Sequence, residues 1–329
     1  MMKKRIMLAA ALTPALILAV IFLRSQNAAG AAKMALSATK VKTDPSGLDD
    51  PLWAQTPEIQ VPLEGKARFG GKKKMVKIKA VYTYEELYLR FSWKDPTRSV
   101  TKESWQFDGQ KWSHLAGNED RLALLFEITR IRNFGSQGCT VTCHGPFRHP
   151  LSYYKLSTAS LAEKGDLWHW KAARSDPYNH ADDQWLTVAG EKSGRRNDAG
   201  KGGDIRNETA DQSRPLYMQD PARKPSKPGF LLMDEAVKIA DYSVFKAADI
   251  IPYRLPKNLI GSRGDIKAMS RYADGGWTLI LHRPLDTDHE DDVVFNPRKA
   301  YSFALAIFDD SGNEDSYDLE TSITLKFKP

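Results

Sequence analysis

The chain has 329 residues, enough for one large domain or two ordinary ones with a real core. It carries 48 Lys and Arg against 41 Asp and Glu, a net charge of +7, with both signs plentiful along its length. No concentrated Lys/Arg stripe stands out, which excludes the nucleic-acid-binding class and leaves a solvated surface suited to docking on an acidic protein.

The chain opens "MMKKRIMLAAALTPALILAVIFLRSQ". Lys3, Lys4 and Arg5 precede an uncharged run over residues 6–23, which predicts a hydrophobic helix and export. The run is about long enough to span a bilayer, and small residues at 28–32 also suit signal cleavage. A retained anchor and a cleaved signal both stay open. The start resembles a bacterial export signal, so the expected destination is the periplasm, soluble or tethered to the inner membrane. Residues 24–43 read as a tether, giving an expected division into 1–43 and 44–329.

From Asp44 the texture changes to strands. In "VKIKAVY", Val76, Ile78, Ala80 and Tyr82 share one face. In "LYLRFSW", Leu87, Leu89, Phe91 and Trp93 do the same, opposite Tyr88, Arg90 and Ser92. "RLALLFEI" reads as a strand buried on both faces. "GWTLILHRPL", "YSFALAIFDDSG" and "SITLKFKP" add three more strands near the C-terminus. Short strands with turn punctuation predict an all-β fold, an antiparallel β-sandwich. Residues 129–260 look irregular, and residues 190–215 read as a long polar loop, so the sandwich is expected to carry large insertions.

Both cysteines of the chain fall inside "GSQGCTVTCHGP", residues 135–146. Covalent haem needs two thiols close enough to reach two vinyl groups and a histidine to ligate the iron; its usual spacing is C-x-x-C-H. Here three residues, Thr140, Val141 and Thr142, separate Cys139 from Cys143, and His144 follows. A reactive dithiol and coincidence are the competing readings. A stabilising disulfide explains little, because so short a loop loses little entropy on closure. Zinc is disfavoured, since a tetrahedral site wants four ligands and no second cysteine pair exists. Export and the glycine-rich surroundings favour haem, since the backbone can approach a flat macrocycle closely.

The ordered segments "GLDDPLWAQTPEIQVPL", "VKIKAVYTYEELYLRFSWKDPT", "EDRLALLFEI", "GDLWHWKAARSDPYNHADDQW", "RPLYMQDPARKPS", "ADIIPYRLP" and "SRGDIKAMSRYADGGWTLILHRPLDT" resemble the haem-binding domain of ethylbenzene dehydrogenase and dimethyl sulfide dehydrogenase γ-subunits, and more closely the c-type cytochromes related to them. The resemblance spans roughly residues 44–320. It implies a DOMON-like β-sandwich whose loop insertions form a pocket for one haem, and a role in passing electrons. The γ-subunits hold haem b through methionine and lysine. CTVTCH departs from that pattern, favours covalent haem c with His144 as one iron ligand, and puts the lysine ligand in doubt.

For the second ligand the family-like pattern singles out Met218 in "PLYMQDP", with Met233 in "FLLMDE" and His169 in "LWHWK" as alternatives. A methionine among apolar neighbours and a histidine between tryptophans are also ordinary core residues. His149 and His180 are weaker candidates, and His114, His282 and His289 read as surface or strand histidines. Trp168, Trp170 and Trp185 are expected around the pocket or in the plain core. Lys171 and Arg174 suit haem propionates or, equally, the surface.

The expected function is therefore an exported monohaem c-type cytochrome, an electron-transfer protein and no catalyst itself. Its expected partner is a redox protein, a molybdenum oxidoreductase by family analogy or another cytochrome, with membrane anchoring through residues 6–23 and no nucleic acid. The alternative is a non-redox ligand- or carbohydrate-binding sandwich, in which the cysteines would be dispensable. A haem enzyme is the third reading, for which the sequence offers no catalytic pair beside the motif.

Overall fold

The computed structural model describes residues 34–143, 156–190, 193–312 and 316–329. The hydrophobic N-terminal run, His144 and His149 lie outside these residues. No helix among the described residues is long and apolar enough to cross a membrane.

Alternating apolar side chains build most of the strands. The first part supplies β1 (Ala35–Lys40), β2 (Glu58–Gly65), β3 (Lys73–Tyr82), β4 (Glu86–Lys94), β5 (Ser104–Phe107), β6 (Trp112–Leu115) and β7 (Arg121–Glu127). The middle adds β8 (Gly165–Lys171), β9 (Asp182–Leu186), β10 (Arg195–Asn197), β11 (Lys201–Arg206), β12 (Tyr217–Gln219), β13 (Ala236–Lys238), β14 (Ile250–Pro252) and β15 (Arg254–Ile260). The C-terminal part adds β16 (Lys267–Ala273), β17 (Gly276–Pro284), β18 (Ala300–Phe308), β19 (Tyr317–Asp318) and β20 (Ile323–Lys328).

Thirteen of these strands form one hydrogen-bonded sheet: eleven follow the path β10-β9-β8-β7-β18-β19-β2-β3-β4-β17-β16, and off it β1 joins β20 to β3 while β20 also pairs with β18. The path folds over itself as a β-sandwich. Val76, Ile78, Ala80 and Tyr82 of β3 and Leu87, Leu89, Phe91 and Trp93 of β4 share one core with Leu122, Leu124 and Phe126 of β7, Trp168 and Trp170 of β8, and Phe303, Leu305 and Ile307 of β18. Fully burying each large side chain contributes about 1.5–3 kcal/mol, which fixes the register because a one-residue slip would expose the whole set. The ladders are antiparallel except those of β1, which runs parallel to both β20 and β3.

Two sequence expectations are corrected. The compact unit begins at Met34, and Ala35–Lys40 is a strand of the sandwich, so the stretch up to residue 43 is more than a tether. Leu36 and Ala38 are fully buried there. Within residues 190–215, β10 pairs with β9 and β11 with β15. Arg195, Arg196 and Asn197 are exposed and lack apolar alternation, so backbone pairing and the bond that Gln184 Nε2 donates to Asn197 Oδ1 at 2.6 Å make that strand.

Candidate functional site

β7, β8 and β18 each have two faces. Leu122, Leu124 and Phe126 point into the sandwich, so Arg121, Ala123 and Leu125 point out of it. In register beside them stand Lys171, His169 and Leu167 on β8, and Phe308, Ala306 and Ala304 on β18. These side chains floor a cavity of about 420 Å³, as bounded by the described residues. That size falls within the range of small-molecule and cofactor sites. Ala123, Ala304 and Ala306 leave the space that larger side chains would fill.

The chain after β7 roofs one end. Ile131 N donates to Glu127 Oε1 at 2.8 Å, and one helical turn follows at Phe134–Gln137. Ser322 Oγ donates to the Gly135 carbonyl at 2.8 Å and pins that turn to the strand side. Gly138 then takes φ of +51°, where an added Cβ would lie 2.6 Å from the Thr321 carbonyl oxygen. Only glycine suits that approach. The 3-10 turn Gly138–Val141 carries Cys139, and Cys143 N donates to the Cys139 carbonyl at 2.6 Å. The two cysteines thus sit four residues and one helical turn apart, on one side of the backbone. Both are buried and both line the cavity. With Leu125, Leu167, Leu186 and Ala304 they form its apolar end.

The other end is cationic. Lys102, Arg121, Lys171 and Arg174 line it, while Arg195, paired with Leu186, enters the cavity from the cysteine side. Lys171 pairs with Asp182, and Arg174 pairs with Glu119 and, at 3.4 Å, with Asp204. Arg121 donates to the carbonyls of Ser311 and Gly312 at 2.6 and 2.8 Å. Burial lowers Lys171 to about 8. Burial acts to raise Asp182, but the charges of Lys171 and Arg263 prevail and hold it at about 2, so the pair keeps its charges near neutral pH.

His169 occupies the middle of the floor. It is 3% exposed, and neither ring nitrogen has a hydrogen-bond partner among the described residues. Burial, then the charges of Lys171, Arg121, Arg195 and Arg174, push its pKa well below the ordinary value. A neutral imidazole with its lone pair uncommitted is the ligating form of histidine. An orphaned buried polar group of this kind calls for a partner that the described protein residues do not supply.

The structure thus brings together Cys139, Cys143, His169, Lys171 and Arg174 from the sequence candidates. Trp168 lies on β8 but faces the sandwich core with Phe126 and Phe295. Met218 and Met233 do not line the cavity. They pack with Trp105, Leu231, Ile251 and Tyr253, where β12 pairs with β13 in a small hairpin of its own. His180 is buried beside Gly264 and is no cavity residue either. Sequence reading missed Arg121, Arg195, Lys102 and the alanine floor. Their signal was the alternation Arg121, Ala123, Leu125 facing Ala304 and Ala306, small residues where a plain core strand carries large ones.

Residues 50–319 match the family model described as ethylbenzene dehydrogenase. The chain belongs to the ethylbenzene dehydrogenase family. The match contains the whole cavity floor, both cysteines and the turn that carries them. No curated protein matches the chain. Among solved structures, a candidate carbohydrate-binding protein from Bacteroides uniformis aligns with TM-score 0.39 and 10% identity, covering 90% of this chain and 100% of that one. A family 9 carbohydrate-binding module from Caldicellulosiruptor kristjanssonii, in complex with glucose, aligns with TM-score 0.35 and 9% identity, covering 89% and 95%. The same module with cellotriose gives 0.35 and 10%, covering 89% and 93%.

Proposed function

We propose that this family member is an electron-transfer protein whose cavity holds one haem c, joined to Cys139 and Cys143. The observation that supports this most is the polarity of the cavity around His169. Two thiols one helical turn apart stand at the apolar end, four basic side chains, Lys102, Arg121, Lys171 and Arg174, at the other, and an unpartnered neutral imidazole between them. That order suits a flat macrocycle with vinyl groups on one edge, carboxylates on the other and iron at its centre. The haem, when bound, supplies one-electron oxidation and reduction.

In this reading His169 is the iron ligand on the floor and takes the place expected of Met218. His144, which follows Cys143 directly, would supply the other ligand. Lys171 is a poorer ligand, because its ammonium is tied to Asp182 and has no lone pair to give. Arg121 is the residue that would meet the carboxylates, since Arg174 is already committed to Glu119 and Asp204. The aliphatic wall of Leu125, Leu156, Leu167 and Leu186 keeps water from the macrocycle and tunes its potential. Export to the periplasm and a redox partner with an acidic docking face complete the proposal.

The carbohydrate-binding alternative finds little to work with in this cavity. Among the described residues Phe308 is the one carbocyclic aromatic ring lining it, and the Arg121 guanidinium already covers that ring at 4.0 Å. Sugar stacking needs an open aromatic face.

One experiment separates the readings. The full chain, made in a host that matures haem c, is purified and its oxidised and reduced spectra are recorded. The expected result is a c-type band in the reduced form and haem that stays with the protein through acid extraction. Cys139→Ser with Cys143→Ser should release the haem, and His169→Ala should shift the Soret band and the reduced spectrum. A colourless protein, or haem that extracts freely, defeats the covalent reading. A His169→Ala spectrum identical to wild type removes His169 as ligand.

A further inference from the structure

Opposite the cavity, on the inner face of the same strands, three aspartates surround one arginine, and two more, Asp198 and Asp291, stand beside those three. Asp166 of β8 and Asp183 of β9 are fully buried, as is Arg283 of β17. Asp198 follows β10 at 4% exposure, and Asp292 stands at 3% beside the partly exposed Asp291 in the connection from β17 to β18. Arg283 spends its charge on two of them: its Nη1 lies 2.9 Å from Asp166 Oδ2 and 2.9 Å from Asp292 Oδ1. Its Nη2 donates to the Val293 carbonyl at 2.7 Å, and Val293 N donates to Asp166 at 3.0 Å. Asp183 is left at 3.5 Å from Nη1.

Asp183 and Asp198 are the anomaly. No N–H or O–H of another described residue donates a hydrogen bond to either oxygen of either carboxylate; apart from the Arg283 charge 3.5 Å from Asp183, their polar contact is with each other. Five carboxylates against one guanidinium is a surplus that a protein interior does not tolerate uncompensated. The geometry offers the compensation. One oxygen each of Asp198, Asp291 and Asp292 lie within 4.8 Å of one another, and so do those of Asp166, Asp183 and Asp292. Oxygens spread over that distance fit a sphere whose radius matches calcium–oxygen bonds of about 2.3–2.6 Å.

We infer that Asp198, Asp291 and Asp292, backed by Asp183, form a binding site for one divalent cation of the calcium class. The donors are all carboxylate oxygen, which selects a hard cation over zinc or copper. Magnesium keeps most of its water and rarely takes an all-protein cage, which favours calcium. The nearest nitrogen base, His289, is committed to Asp265 at 2.8 Å and stands 3.9 Å from Asp292 at the exposed rim. A second acidic trio, Asp95, Asp120 and Asp309, makes the contrast. There Lys74 pairs with Asp95 at 3.4 Å and Asp309 at 3.1 Å, while Ser99 N and Trp277 Nε1 donate to Asp120 at 2.8 and 2.9 Å. That trio is satisfied without an ion.

The cation would tie the β9–β10 edge to the β17–β18 connection. Leu186 and Arg195, on those same two strands, line the cavity, so the ion would brace one wall of it.

The test uses the full-length protein, stripped with EGTA and titrated with calcium chloride or magnesium chloride by calorimetry, alongside thermal unfolding. One calcium per chain is expected, with magnesium weaker and a higher unfolding midpoint in calcium. Asp198→Asn and Asp291→Asn should each weaken calcium binding by about 10–100-fold, and Asp95→Asn should leave it unchanged. Asp291 is partly exposed, so its variant should keep the wild-type circular dichroism and stay informative if Asp198→Asn unfolds. No binding at millimolar calcium, or unaltered binding in a folded Asp291→Asn, overturns the site. The titration is repeated on Cys139→Ser with Cys143→Ser, so its outcome is read independently of haem.

Discussion

The two faces of β8 and β9 are built from the same ten-odd residues and end in opposite electrostatic conditions. On the outer face Leu167, His169 and Lys171 look onto a cavity with a surplus of basic groups. On the inner face Asp166 and Asp183 join a buried surplus of acids around Arg283. Each face holds polar groups that the described protein leaves unsatisfied: the imidazole of His169 outside, the carboxylates of Asp183 and Asp198 inside. The signs differ, and so does the missing partner. A neutral base among cations suits a metal centre that carries its own anionic edge. Carboxylates with no donor suit a bare cation. Strand alternation is what lets two such sites share a backbone 4.7–4.9 Å from its neighbours without mixing.

The largest expected effect comes from the inner face. Arg283→Met keeps an apolar stem but removes the guanidinium that stands over the Trp168 ring and the charge that Asp166 and Asp292 share. Unfolding by urea should show a loss of ~3–5 kcal/mol at neutral pH. A midpoint within error of wild type would mean that this ion-pair group does not hold the edge of the sheet.

Smaller per unit of pH is the dependence of stability on pH, measured on the haem-free chain in EGTA. Burial, then the charges of Asp166, Asp291 and Asp292, raise Asp198 from 3.8 to about 9. The fold therefore binds a proton that the unfolded chain releases, and stability falls as pH rises from about 4 through about 9, by up to about 1.4 kcal/mol per pH unit. His169 runs the other way. Its pKa is lowered in the fold, so below 6.5 the unfolded chain takes up the proton first and stability falls as pH drops. Asp198→Asn should flatten the alkaline limb and His169→Leu the acid limb. If either variant flattens the other's limb, the two faces are coupled and the contrast drawn between them fails.

Filling the cavity is expected to matter for the cofactor more than for the fold. Ala306→Leu points into the open space above β18 and should cost less than ~1.5 kcal/mol, while haem incorporation, read as Soret absorbance per chain, is lost. The smallest effect belongs to Met218→Leu, a near volume-conserving change in the cluster around Trp105. Its reduced spectrum should equal that of wild type; a shifted band would return Met218 to the iron and displace His169.

Much of the fold was legible because apolar alternation has a single physical reading. Val76, Ile78, Ala80 and Tyr82, and Leu87, Leu89, Phe91 and Trp93, point inward as their spacing requires. The candidate site was legible in part. C-x-x-x-C marked the cysteines, and the structure gives that spacing a reason, since four residues are one helical turn. Lys171, Arg174 and His169 were in view, but nothing local to "LWHWK" says which of its alternating residues faces a cavity and which the core.

By itself the sequence determined the period of the strands, the pairing of the cysteines on one short segment and the excess of charge that had to be placed somewhere. Only the tertiary structure decided where that charge goes. Arg121, Arg195, Asp198 and Asp292 are dispersed along the chain and meet through strand register, which depends on long-range pairing. The same register separates Met218 from the cavity and sets His169 on its floor, because β12 pairs within its own hairpin while β8 pairs with β7.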